Sequence, residues 1–458
     1  MLEEEKKEEL LALLTGKKYR ELKSQLVEMN EVDIASFIEE LDSEKTVVVF
    51  RMLPKELASE VFACLEVEQQ QHIITSITDN ELRAIIDDLY VDDAVDMLEE
   101  LPATIVRRVL QNSSPDTRKL INQFLNYPEN SAGSVMTAEY VGLKKNMTVE
   151  QAFGYIRKYG VDKETIYTCY VMDEKRRLEG VVTVKDLLMN DYAALMGDIM
   201  DPHVIKAYTT EDQEKVVETF NEYNLLSLPV VDGEDRLVGI ITVDDVMDVM
   251  EQEATEDFEK MAAILPSDKP YLKTGVLETW RSRIPWLMLL MLSATFTGII
   301  ITSFESALAA CVVLTSFIPM LSGTGGNSGS QSSVAVIRAL SLDEIDFSDL
   351  VAVVWKEIRV AVLCGVCLAA ANFVKMMVVD RWLMHNPEVT PLVALVVCLT
   401  LVFTVLCAKV VGCTLPMAAE KLGIDPAVMA SPFITTIVDA CSLILYFQIA
   451  QLVFRNMM

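Results

Sequence analysis

The sequence predicts a multi-domain protein: an all-α helical-repeat N-domain, an α+β segment of two like units, a connecting helix and a five-helix α transmembrane domain. Three observations carry that reading. Charge divides the 458 residues, because the first 280 hold 29 basic and 57 acidic side chains whereas the remainder holds 10 and 11. The chain has a net charge of −29 and yet a positive mean hydropathy, a combination that an evenly mixed globular protein rarely shows. A repeat of 12 residues occupies the N-terminal part, and apolar runs long enough for membrane helices occupy the C-terminal part.

The repeat is carried by Leu41, Leu53, Leu65, Ile77, Leu89 and Leu101. Val49, Val61, Ile73, Ile85, Met97 and Val109 follow eight positions later, and Phe50, Phe62, Ile74, Ile86, Leu98 and Leu110 follow nine later. Three apolar columns over six units predict a stacked helical array within residues 1–128. Pro54 and Pro102 hold equivalent turn positions suited to starting a helix. The rest of this surface is acidic, as in "RAIIDDLYVDDAVDMLEELP", which argues against nucleic acid as a partner and favours cations. Most of these carboxylates are read as a solvated face.

Residues 129–250 change character. Two units read as a strand, a helix and paired strands, each ending in Gly-apolar-apolar-Thr-x-x-Asp. Gly180, Thr183 and Asp186 close the first, and Gly239, Thr242 and Asp245 the second. A charged helix at 251–280 connects them to the apolar region at 281–458. Five membrane spans are expected there, at 284–303, 307–321, 351–379, 392–415 and 427–454. Arg281, Arg283, Arg338, Lys356, Arg359 and Lys421 gather on one side of these spans, and Arg381 and Arg455 lie on the other. That bias puts the N-terminus inside and the C-terminus outside. No signal peptide is read in the acidic start "MLEEEKKEELLALL", so a reducing cytoplasm is expected for the first half. Seven of nine scattered cysteines lie in the apolar half without a disulfide pattern. The C-x-x-C of Cys364 and Cys367 falls inside an apolar run and is read as membrane packing.

The fifth span, "ASPFITTIVDACSLILYFQIA", carries a carboxylate near its middle, Asp439. A charge at mid-bilayer costs about 2.5–3.5 kcal/mol on insertion scales, so it faces the bundle interior, a partner or water. Ser431, Thr435, Asp439, Ser442 and Tyr446 are spaced to share one helical face, as a hydrophilic path requires. Alternatively, Asp439 bonds a neighbouring helix through Lys409 or Lys375. The segment "PMLSGTGGNSGSQSSVAVIRAL" sets Gly323, Gly325, Gly326 and Gly329 among Thr324, Asn327, Ser328, Gln331, Ser332 and Ser333. Its glycines permit either close helix approach or local unwinding. Asn327 and Gln331 either hold a hydrated ion or brace the facing helix. A phosphate loop is excluded because no Gly-Lys-Ser/Thr is present. His72, His203 and His385 lie far apart, and no nucleophile motif or Walker lysine occurs, which argues against an enzyme and against ATP-driven pumping.

These residues resemble the MgtE family of magnesium channels and transporters. "GTGGNSGSQ", after a proline-containing helix, is similar to that family's second-helix signature, and "LGIDPAVMASPFITTIVDACSLILYF" to its fifth helix. The resemblance implies a homodimer in the bacterial plasma (inner) membrane, with one pore lined by the second and fifth helices of both protomers. It implies that Asp439 binds the permeating Mg²⁺, with Thr435, Ser431, Asn327 and Asp425 as further pore residues. Mg²⁺ dehydrates reluctantly, so paired carboxylates acting through its water shell are chemically suitable. Spacing alone does not separate it from Mn²⁺, Co²⁺ or Ca²⁺.

The two α+β units resemble a tandem CBS pair. Two readings stay open for it: an adenine-nucleotide site, ATP with its ribose near Thr183, Asp186, Thr242 and Asp245, or a structural pair that transmits position. "EATED", at 253–257, resembles the family's connecting, or plug, helix. Regulatory Mg²⁺ sites carried over by motif comprise Glu60, Asp92, Asp96, Glu214, Asp245, Asp248, Glu253, Glu256 and Asp257. One departure is "YNLLSLPVVD" in place of "YDLLALPVVD", where Asn224 replaces a carboxylate. The implied function is passive Mg²⁺ influx, shut by Mg²⁺ binding at the acidic interface of N-domain, CBS pair and plug helix. The alternatives are a transporter for Mn²⁺ or Co²⁺, and a membrane-anchored Mg²⁺ or nucleotide sensor that conducts nothing.

Overall fold

The structure, a computed structural model, describes residues 4–267, 271–272, 274–304, 312–342, 344–429 and 431–454. The chain divides into two compact units, Met1–Met250 and Glu251–Met458.

The first unit opens with α1 (Glu4–Thr15), α2 (Tyr19–Leu26), α3 (Glu31–Glu39), α4 (Ser43–Phe50) and α5 (Lys55–Ala63). It continues with α6 (Val67–Ser76), α7 (Asp79–Ile86), α8 (Val91–Glu100), α9 (Ala103–Asn112) and α10 (Pro115–Phe124). Helices shorter than about 12–15 residues are marginal in water, so stacking must supply their stability. From α3 onward each helix packs against the next but one, as a repeat of one helix and one turn dictates. The three apolar columns form the core. All their members are buried except Leu89 and Leu110, which pack partly buried against it. Pro54 and Pro102 cap α5 and α9, where a missing N–H costs nothing. The Arg108 guanidinium donates to the Ile77 carbonyl and pairs with Asp79, tying the end of α6 to the start of α7.

After a short α11 (Ala132–Val135), the expected strand-helix-strand-strand unit occurs twice. The first comprises β1 (Val141–Lys144), α12 (Val149–Tyr159), β2 (Thr168–Met172) and β3 (Leu178–Thr183), followed by α13 (Val184–Met189) and α14 (Met196–Ile199). The second comprises β4 (Ala207–Tyr208), α15 (Gln213–Tyr223), β5 (Ser227–Val231) and β6 (Leu237–Thr242), followed by α16 (Val243–Met261). In both sheets the outer first strand runs parallel to the middle one, and the last strand antiparallel to it.

The second unit contains α17 (Val276–Ser303), α18 (Ile318–Ser341), α19 (Leu350–Lys375), α20 (Pro391–Lys421) and α21 (Ser431–Phe454). Among the described residues, four segments are long and apolar enough to cross a membrane: Val276–Ser303, Phe347–Leu383, Pro391–Lys421 and Pro426–Val453. The span expected at 307–321 falls in part, at 307–311, outside the described residues. Val312–Phe317 is a 3-10 turn, and the helix starts only at Ile318. The glycine signature therefore lies inside α18 rather than after a proline-containing helix, because Pro319 sits in the first turn, where it is tolerated. Cys364 and Cys367 are exposed free thiols.

Between the two readings of the glycines, close approach wins and unwinding is set aside, since α18 is continuous. A Cβ on Gly326 would lie 2.7 Å from the Thr435 methyl, and one on Gly412 would lie 2.3 Å from the Gly329 carbonyl oxygen. The α18 and α20 backbones touch there. A Cβ on Gly323 meets open space. Gly412→Val should therefore destabilise the detergent-solubilised protein by about 1–3 kcal/mol through overpacking, while Gly323→Ala should leave it unchanged. Thermal unfolding of both variants checks this, and equal melting temperatures would contradict the crossing.

Candidate functional site

On α21 the Asp439 side chain is half-buried, and its Oδ1 accepts a hydrogen bond of 2.5 Å from the Ser322 hydroxyl of α18. Neither lysine proposed as its alternative partner reaches it. Lys375 pairs with Asp380 at 2.8 Å, and Lys409 pairs with Glu357 at 3.4 Å. Thr435, one turn before Asp439, is half-buried above Gly326, and its hydroxyl donates to the Pro432 carbonyl. The Ser431 side chain lies outside the described residues.

The polar stripe of α21 does not stay open along its length. Ser442 and Tyr446 are buried, and the Tyr446 hydroxyl donates to the Leu314 carbonyl at 2.8 Å. On α18, Gly323, Asn327 and Gln331 are exposed at successive turns, so among the described residues the two amides brace no facing helix. Ser322 and Gly326, beside this exposed strip, are the residues that contact Asp439 and Thr435. Asp425 lies apart from that pair. One of its oxygens accepts from the Ala427 N–H at 2.7 Å and the other meets Lys260 at 2.7 Å.

A second polar group escaped the sequence reading. Glu357 of α19, Lys409 of α20 and Ser332 of α18 form one buried network, in which the Ser332 hydroxyl donates to Glu357 and the Lys409 ammonium to Ser332 at 3.2 Å. The usable signal was a lone lysine inside the apolar run at 392–415.

In the first unit α8 presents Asp92, Asp93 and Asp96 to Glu164 and to Asp245 at the start of α16. Asp92 is buried, and its Oδ1, like Oε2 of Glu164, has no hydrogen-bond partner among the described residues. Burial, then the neighbouring Asp93 and Asp245 charges, hold Asp92 well above the ordinary carboxylate range. Burial likewise pushes Asp93 up to about 6, and Asp96 and Glu164 up to about 7. Asp245 is raised by burial despite its bonds to Thr242. Glu60 is also raised by burial, next to Glu31, Asp88 and Glu56.

Of the proposed regulatory carboxylates, Asp92, Asp96 and Asp245 thus act on one another, and Asp93 and Glu164 join them. Glu214 lies in the first turn of α15, and Asp248 lies on α16. On the same helix, within the second unit, Glu256 pairs with Lys260, and Asp257 is pushed up to about 6 by burial and by Asp425. Among the described residues no three His, Cys, Asp or Glu side chains converge to ligate a metal directly. The orphaned Asp92 oxygen and the all-carboxylate donor set fit a hard cation that retains its water.

Two local features have plain structural roles. Asn224 ends α15 with φ 50° and ψ 51°, a left-handed position that asparagine tolerates. Thr183 with Asp186, and Thr242 with Asp245, form the same hydroxyl-to-carboxylate bond of 2.6 Å at the starts of α13 and α16.

An acidic unit with two like α+β sheets and orphaned buried carboxylates, on one chain with long apolar helices that carry a half-buried aspartate, has the make-up of a membrane protein that handles cations. The profile of the divalent cation transporter family MgtE matches residues 318–449, the MgtE intracellular N domain matches 29–130, and CBS domains match 132–191 and 196–252. The chain is similar to the magnesium transporter MgtE of Thermus thermophilus, with 38% identity over 94% of this chain and 95% of that one. It is similar to the magnesium transporter MgtE of Bacillus subtilis at 32%, over 96% of each. The crystal structure of the cytosolic domain of the Mg²⁺ channel MgtE in complex with ATP superposes with a TM-score of 0.50 at 39% identity, covering 52% of this chain and 98% of that one. The soluble part of a magnesium transporter gives 0.53 at 30%, over 55% and 99%. The chain belongs to the MgtE family.

Two outcomes are expected. Carboxylates with raised folded-state pKa values favour the folded state when protonated, so their contribution is fully present below about pH 4. It is lost as pH rises through the 6 to 7 range of Asp93, Asp96 and Glu164. In Mg²⁺-free buffer the unfolding temperature of the acidic unit should fall between pH 5 and pH 8, and Mg²⁺ should restore it. A flat profile in calorimetry would count against the cluster. In the membrane unit, Lys409→Met or Glu357→Met alone should cost about 3–5 kcal/mol by leaving a buried charge unpaired. The double variant should recover most of that loss in thermal unfolding, and additive losses would show that the two residues act separately.

Proposed function

We propose that the protein is a homodimeric Mg²⁺ channel or transporter of the bacterial inner membrane, which passes Mg²⁺ inward down its electrochemical gradient and shuts when cytoplasmic Mg²⁺ accumulates. The observation that supports this reading most is Asp439: a half-buried carboxylate in a membrane helix, held by a serine hydroxyl and flanked by the exposed Asn327 face. Asp439, Thr435, Ser431 and Asn327 line the path from two protomers, and Asp425 lies toward its cytoplasmic side. The carboxylates hold the ion through its water shell, which suits an ion that dehydrates reluctantly. Magnesium, rather than another divalent cation, is favoured by the names of the relatives.

Regulation follows from charge. Glu60, Asp92, Asp96, Glu214, Asp245, Asp248, Glu253, Glu256 and Asp257 repel one another when cytoplasmic Mg²⁺ is low. Mg²⁺ neutralises them and favours the shut arrangement, provided that it binds that state more tightly. The domain limits in this scheme are 1–128, 129–250, 251–280 and 281–458. ATP at the CBS pair is a further part of the proposal. Thr183, Asp186, Thr242 and Asp245 would lie near its ribose, and the ATP complex of the related cytosolic domain supports it.

Asp439→Ala should abolish Mg²⁺ uptake into proteoliposomes without altering the elution of the purified protein. Uptake that survives in a folded variant would refute the pore and leave a sensor. Patch recording with Mg²⁺ varied on the cytoplasmic face tests the gate, and current that persists at high Mg²⁺ would overturn the gating scheme alone.

A further inference from the structure

The connecting helix carries a cation of its own. Near the end of α16, the Lys260 ammonium lies 2.5 Å from Glu256 and 2.7 Å from Asp425, so one side chain ties this helix to the turn that precedes α21. Asp425 is fixed at both oxygens, because the other accepts from the Ala427 N–H. Ala427 is itself buried, in an apolar cluster with Ile337 of α18 and Met261, the residue after Lys260. The contact thus joins the connecting helix to the roots of α18 and α21, the helices of Asn327 and Asp439.

We propose that Lys260 is a tethered counter-ion that latches the connecting helix onto the Pro426–Met429 turn, and thereby sets the cytoplasmic Mg²⁺ concentration at which transport stops. The threshold half of this inference rests on the gating scheme above; the latch does not. An ammonium already attached to the chain bridges two carboxylates without the entropy of capturing a free ion. It carries one charge against Glu256, Asp257 and Asp425, so it leaves that group negative and still able to attract a divalent cation. Lys260 therefore makes the latched arrangement accessible before any Mg²⁺ binds, and Mg²⁺ completes the neutralisation. Without it, Glu256 and Asp425 face each other with like charge.

Two measurements on the full-length protein test the inference. In cytoplasmic-side Mg²⁺ titrations of the reconstituted protein, Lys260→Gln should raise the closing midpoint about two- to fivefold, the range expected of a partly exposed ion pair. Lys260→Arg should keep the midpoint near wild type. An unchanged or lower midpoint in Lys260→Gln would overturn the threshold role, a lower one meaning that the lysine competes with Mg²⁺ instead. In Mg²⁺-free protein, hydrogen exchange over residues 251–263 should quicken in Lys260→Gln and in Asp425→Asn but not in Lys260→Arg. Equal exchange in all four proteins would refute the latch. If the wild type never closes, the gating scheme fails, and the exchange measurement still decides the latch by itself.

Discussion

The membrane unit depends on one steric condition: the α18 backbone must reach the α20 backbone at Gly329 and Gly412. Between helices in lipid there is no hydrophobic drive, so association relies on close packing and on interhelical hydrogen bonds. Small residues provide both here. With Gly325, Gly326 and Gly329 turned toward α20 and α21, the exposed edge of α18 is left to Gly323, Asn327 and Gln331. The same approach brings Ser322 within bonding distance of Asp439 and seats Ser332 on the Lys409–Glu357 pair. A single pattern of glycines thus positions two polar groups of opposite character.

That difference is energetic. Lys409 and Glu357 neutralise each other and share a hydroxyl, so their network is complete and buried. Among the described residues Asp439 has the Ser322 hydroxyl alone. A hydrogen bond to a charged group contributes about 1.5–3 kcal/mol, against about 2.5–3.5 kcal/mol to hold a carboxylate at mid-bilayer. The serine offsets most of that cost and leaves the charge available. In the proposed pore a full ion pair at Asp439 would block the cation, and a wholly unbonded carboxylate would be harder to insert.

Much of this was legible in the residues. Three apolar columns of period 12 are the core of α3 to α10, because a repeat that short can bury itself only against its neighbours. The Gly-apolar-apolar-Thr-x-x-Asp endings foretold two like sheets. Asp439 stood out because ionised side chains are rare in spans. Other features could not be read from spacing. Ser322 is one small polar residue in a run of them. Glu357 and Lys409 lie on different helices, and Lys356 beside Glu357 resembled an ordinary flank. Whether glycines pack or unwind is settled by the facing side chains, and Ser442 and Tyr446 left the open stripe because α21 buries them. The acidic cluster draws on α8, on Glu164 and on α16, which no local pattern connects.

That cluster is where the repeat's two requirements collide. Each repeat buries its apolar columns on one side and turns charge outward, so carboxylates normally remain solvated. On α8 the outward face meets Glu164 and Asp245, and Asp92 becomes buried with one carboxylate oxygen, Oδ1, unpartnered among the described residues. Burying a charge with too few partners is expensive, and a proton or a cation is the remedy. Asp96 and Glu164 titrate near 7, so at neutral pH protons compensate them incompletely. The residual negative charge grows with every neighbour that ionises. A divalent cation that spans several carboxylates through its water relieves all of them together, whereas protons must bind one by one. A cation of that kind would couple to the stability of the folded unit, and that coupling is the physical basis of the gating proposed above.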